Sequence, residues 1–173
     1  GYEAWPGKIS EVRKLFQDLP LAIIYFAGHG SMSATEGDLY QYSIQMEDGA
    51  LDVMTWRGMI TSTIKNRPLF FFNACSVGQT QNVANFVDGW ATAVLDAGAS
   101  GYVGSLWPVS QTGAADFGAT FYSQFDRRLK EGPASVAKTL METRRKFLEN
   151  GDPTFLAYIY FGDADLELLR EPK

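Results

Sequence analysis

Polar and apolar positions along this chain fall into two recurring patterns: stripes at helical spacing and short runs that are apolar throughout. Ile9, Val12, Leu15 and Phe16 follow the helical spacing, which predicts a helix from Lys8 to Asp18 closed by Pro20. Leu21 to Ala27 is too short and too evenly apolar for a surface helix, and Gly28 ends it, so a buried central strand is expected there. From Ser31 to Asp52 the composition turns to Ser, Thr, Gly, Gln, Glu and Asp, which predicts a mobile loop and then a β-ribbon over Leu39 to Met46 that turns at Glu47-Asp48-Gly49. Asp52 is a good N-cap for a helix carrying Val53, Trp56, Ile60 and Ile64, stopping before Arg67-Pro68.

The second apolar run, Leu69-Phe70-Phe71-Phe72-Asn73-Ala74-Cys75, reads as another buried strand. A helix follows over Gln79 to Ala97, with Val83, Phe86, Val87, Trp90 and Val94 on one stripe and Gly98 as its stop. Gly101 to Trp107 is a further short strand limited by Pro108. Two more helices are expected, Thr112 to Lys130 and Pro133 to Asn150, and then a last strand over Phe155 to Phe161. Strand and helix alternate with no linker or repeat, which predicts one α/β domain over 1–173 with helices on both faces of its sheet. Gly1 is no natural initiator, so the chain reads as a piece of a longer protein, although a residue left by expression would look the same.

Composition narrows the functions. A net charge of -5 without any Lys/Arg run gives no electrostatic reason to bind nucleic acid, and Arg144-Arg145-Lys146 reads as a solvated helix face. No apolar run reaches membrane-spanning length and no signal peptide is evident, so neither membrane attachment nor export is expected. A single cysteine cannot form an internal disulfide, which points to a reducing, cytoplasmic setting. One His and one Cys build no zinc site without several carboxylates, and Glu36, Asp38, Glu47, Asp48 and Asp52 lack the spacing of a calcium loop. No cofactor or metal is therefore expected.

The only histidine and the only cysteine each close an apolar run: Ala27-Gly28-His29-Gly30 after one, Asn73-Ala74-Cys75-Ser76 at the end of the other. Taken singly, each has a plain structural reading, since a buried cysteine is a small hydrophobe and a strand-end histidine is commonly a packing residue. Taken together they fit a nucleophile and its base at neighbouring strand ends, where α/β sheets gather functional groups. A thiol titrates near 8.5 on its own, and a nearby imidazole and a following helix N-terminus both favour the thiolate. The backbone N–H groups of Gly30 and Cys75 are the natural oxyanion donors, because glycine lets the main chain approach a substrate closely.

Four blocks, Phe26-Ala27-Gly28-His29-Gly30, Asn73-Ala74-Cys75-Ser76-Val77-Gly78, Gly104-Ser105-Leu106-Trp107-Pro108-Val109 and Ile159-Tyr160-Phe161-Gly162-Asp163, together resemble the CHAT domain, the caspase-like, separase-related family of clan CD cysteine peptidases. The resemblance implies a caspase-like three-layer sandwich with a mostly parallel central sheet, a His29–Cys75 dyad, and an oxyanion hole at Gly30 and Cys75. It further implies a cysteine endopeptidase making limited cuts in a protein substrate, in a bacterial regulatory or defence system. A tetratricopeptide-repeat or other regulatory segment of a parent protein is the expected partner. The fold of this family opens with strands that the sequence lacks before the His29 strand. Either they lie on a separate or omitted segment, which is the expectation here, or that edge is open to a partner chain. Arg-selective members of this clan carry an acid near the cysteine or after the Trp-bearing strand, where this chain has Asn73 and Ser110-Gln111. Asn73, Trp107, Val109 and Ser110 are thus expected to bind substrate and to favour an uncharged residue before the scissile bond. The rival reading is a caspase-like interaction module without turnover, and a third is a redox-sensing thiol.

Overall fold

The computed structural model describes residues 4–34, 40–60, 64–75 and 83–170. The elements run α1 (Ile9–Asp18), β1 (Ile23–Ala34), β2 (Tyr40–Met46), β3 (Gly49–Asp52), α2 (Val53–Met59), β4 (Leu69–Cys75), α3 (Val83–Asp96), β5 (Gly101–Ser105), α4 (Gln111–Glu131), β6 (Ala134–Ser135), α5 (Val136–Glu149), α6 (Thr154–Ala157), β7 (Tyr158–Gly162) and β8 (Glu167–Leu168). Six strands form the main sheet in the order β3-β2-β1-β4-β5-β7. The central pairs β1/β4 and β4/β5 are parallel, while β2 and β7 run against their neighbours. This is the expected α/β sandwich with a mostly parallel sheet.

The pleat sorts the strand residues between two cores. On one face Phe70, Phe72 and Tyr102 pack with Val12 and Phe16 of α1, Trp56 of α2 and Trp90 and Val94 of α3. On the other, Leu69, Phe71 and Val103 pack with Phe117, Phe121 and Phe125 of α4, Leu140 and Phe147 of α5, and Tyr158 of β7. β4 is apolar on both faces because it is covered on both, which is why its residues show no alternation.

Several boundaries differ from the sequence reading for tertiary reasons. β1 does not stop at Gly28: it continues to Ala34 because, once its parallel pairing with β4 ends at His29, antiparallel pairing with β2 begins at Gly30. Part of the expected mobile loop is therefore strand, with Ser31 and Ser43 joining their hydroxyls at 2.7 Å, while 35–39 lie outside the described residues. The strand expected from Phe155 begins as one helical turn, α6, whose first residue, Thr154, donates its N–H to Asp152 Oδ1 at 2.9 Å. β6 and β8 form a small separate ribbon that no apolar pattern announced.

Among the described residues, β2 covers the outer side of β1 only from Gly30 onward, and no strand pairs with Ile23–His29 on that side. The edge beside the histidine is open there.

Candidate functional site

The candidate site gathers where β4 and β5 end, α4 begins and β1 passes from β4 to β2 as its pairing partner. β1 delivers His29 at the change from parallel to antiparallel pairing, with its side chain exposed. Gly28 precedes it: a Cβ added there would lie 2.7 Å from Phe26 Cζ, so that ring would have to shift. Gly30 is buried and is the Cα partner of Ile44 in β2.

β4 delivers Cys75 as its last residue, and Cys75 is the Cα register partner of His29. The only histidine and the only cysteine of the chain thus occupy paired backbone positions on adjacent parallel strands. Residues 76–82, which include Val77-Gly78 and the expected helix start at Gln79, lie outside the described residues.

Downstream of β5, Leu106 donates its N–H to Ala157 O at 2.7 Å, which ties the start of the 106–110 connection to the α6–β7 junction. Ser110 ends it as the N-cap of α4, its Oγ accepting from Gly113 N at 3.0 Å. Between these anchors Trp107 remains 41% exposed, and Val109 packs against the α4-side core. Ser110 therefore has a defined structural task, and Trp107 is the larger apolar surface this segment offers.

Asn73 lies inside the fold. Its side chain is buried at 6% exposure, on the α4 side of the sheet. Nδ2 donates to Ala114 O at 2.7 Å and to Tyr25 Oη at 2.9 Å, and Tyr158 donates its O–H to Oδ1 at 2.5 Å. A carbonyl oxygen can only accept, so Ala114 O fixes which end of the amide is nitrogen. Both amide hydrogens are consequently used within the protein. Gly118 makes room for this arrangement, since a Cβ there would lie 3.0 Å from Tyr25 Oη and 3.3 Å from Asn73 Nδ2. Tyr25, Tyr158 and Gly118 went unnoticed as site residues because they come from three distant segments. The available signal was the polar Asn73 in an otherwise apolar buried strand, since a buried amide demands partners.

Asp116, an acid six residues after Ser110, is exposed on α4, and Asp38 lies outside the described residues. Among the described residues no group of His, Cys, Asp and Glu is arranged to hold a metal ion, and no helix is long and apolar enough to cross a membrane.

None of the curated proteins compared with this chain matches it. A family model does: that of the CHAT domain, which aligns with residues 5–161 and so takes in His29, Cys75, the Trp107 segment and all of β7 but its last residue. With a caspase-like α/β sheet and that match over most of its length, the chain belongs to the CHAT domain family, which is related to the clan CD cysteine peptidases.

Proposed function

We propose that this domain is a cysteine endopeptidase in which His29 activates Cys75 for limited cleavage of a partner protein. The observation that carries the reading is the register pairing of His29 with Cys75 at the end of the parallel ladder. Register partners on adjacent parallel strands belong to one face of the pleat, which suits a proton donor and acceptor that must meet. In this mechanism the His29 imidazole takes the thiol proton, and the thiolate attacks the scissile carbonyl carbon. The backbone N–H groups of Gly30 and Cys75 receive the oxyanion, and the imidazolium returns its proton to the leaving amine. Water then attacks the thioester, releasing the acid and restoring the thiol. Trp107 and Val109 supply apolar contacts for the residue before the scissile bond, favouring an uncharged side chain there. A bacterial regulatory or defence setting fits the family, and the open side of Ile23–His29 suits a strand from a regulatory segment or partner chain.

The test is cleavage of candidate partner proteins followed by mass spectrometry, with Cys75→Ala and His29→Ala in parallel. Each variant should lose activity by about a thousandfold or more. Persistent cutting by both variants would remove the dyad. Specific partner binding without cutting by the wild type would instead favour an interaction module that keeps the fold without turnover. A redox-sensing thiol would react independently of His29.

A further inference from the structure

The end of β4 is supported unequally. Parallel pairing with β5 stops at Phe72↔Gly104, whereas pairing with β1 continues through Ala27↔Asn73 and Gly28↔Ala74 to His29↔Cys75. From Asn73 onward the strand has a ladder on the β1 side alone among the described residues, and β1 is itself open on its far side over this stretch. Backbone hydrogen bonding alone leaves the terminal Asn73-Ala74-Cys75 segment weakly held. The Asn73 side chain supplies what the ladder lacks, through Ala114 O in α4, Tyr158 Oη in β7 and Tyr25 Oη in β1. Tyr158 also stacks on Phe117 of α4 with ring centroids 3.9 Å apart, so two of the three partners belong to one packed unit. The 106–110 connection is anchored beside it, at Ala157 O of α6, next to Tyr158, and at the Ser110 cap of α4.

We propose that Asn73 is a positioning residue, which locks the Cys75 end of β4 to β1 and to the α4–β7 unit and so sets the His29–Cys75 geometry without touching substrate. This inference rests on the reading that Cys75 is the nucleophile, and it gives Asn73 a different task from reading the substrate. Asn73→Asp separates the two: it preserves size and the acceptor for Tyr158 but replaces both N–H donors by a carboxylate facing a carbonyl oxygen.

The chain holds a single cysteine, so its alkylation by iodoacetamide as a function of pH reports on Cys75 alone. Wild type, Asn73→Asp, Tyr25→Phe and Tyr158→Phe are compared, each checked for cooperative thermal unfolding, with cleavage-site profiling on a peptide library alongside. Expected is a thiolate favoured in the wild type and alkylation of Asn73→Asp at neutral pH about tenfold slower, equivalent to one pH unit. The Tyr→Phe variants should shift the same way by less, and the preferred residue before the scissile bond should stay unchanged. If Asn73→Asp does not fold, the two Tyr→Phe variants carry the test. A new preference for Arg or Lys with an unshifted thiol profile overturns the proposal, because Asn73 then contacts substrate. An unshifted profile in every folded variant overturns it as well. A wild-type thiol that titrates like a free cysteine has its own signature: it overturns the dyad and this inference together.

Discussion

His29 and Cys75 are Cα partners at the last rung of the parallel ladder between β1 and β4, and the strand carrying His29 then changes to antiparallel pairing with β2. The imidazole is thereby carried on continuous strand backbone, held on one side before His29 and on the other after it. If this pairing is a working dyad, His29→Ala should slow iodoacetamide alkylation of Cys75 at neutral pH and move its midpoint toward about 8.5, the value of an isolated thiol. Identical profiles for variant and wild type would leave Cys75 as an ordinary cysteine.

Ser110 makes a separate prediction through α4. Its Oγ satisfies one of the free N–H groups at the start of that helix, so Ser110→Ala should lower stability by about 1 kcal/mol, and Ser110→Asp should restore it. Urea unfolding of the three proteins gives the comparison. A loss of peptide cleavage by Ser110→Ala with stability unchanged would instead make the hydroxyl a substrate contact.

Two glycines should respond in opposite directions to alanine. At Gly104, buried in β5 between β4 and β7, a Cβ would lie 2.5 Å from the Tyr102 hydroxyl, and Tyr102 is held by Phe72 and Phe161. Overpacking should cost about 1–3 kcal/mol. At Gly58, in α2, nothing lies within 4 Å, and alanine should raise stability by about 0.5–1 kcal/mol through its better helix propensity. Thermal denaturation distinguishes both from wild type; destabilisation at Gly58 would contradict the open space seen there.

Alkaline pH should unfold the protein partly through Tyr102. Burial holds its phenol well above the ordinary value of 10, and Tyr160 is pushed up to about 12 by burial and then by the Asp163 charge. In the unfolded chain these phenols ionise near 10, so above that pH the unfolded state loses protons that the folded state keeps. Their contribution is complete below pH 10 and falls as pH rises toward the folded values. Tyr102→Phe should flatten the decline of the melting temperature above pH 10, and an unchanged slope would remove Tyr102 as its source.

Much of the fold could be read directly. The uniformly apolar Leu69–Cys75 run became a strand covered on both faces, and Val12, Phe16, Trp56, Phe117, Phe121 and Phe125 fill the cores their spacing assigned. Ends were harder to read. β1 passes through Gly28 and Gly30 because β2 is available as a partner, a fact that resides in neither glycine. Phe155 to Ala157 has the composition of a strand and forms a helical turn because Asp152 captures the N–H of Thr154.

At the candidate site, the sequence named a pair of residues, and the fold added how they are held. A single histidine and a single cysteine, each closing an apolar run, were enough to propose positions 29 and 75 as a pair; β4 does end at Cys75, whereas β1 runs on past His29 to Ala34. Their register, the end of β5 support after Phe72 and the three hydrogen bonds of Asn73 required the folded chain. The physical reason is one of range. Apolar periodicity reports the burial of each residue within its own element, whereas a buried amide is satisfied by whichever donors and acceptors the packing brings near. For Asn73 these come from residues 25, 114 and 158, which no local pattern connects.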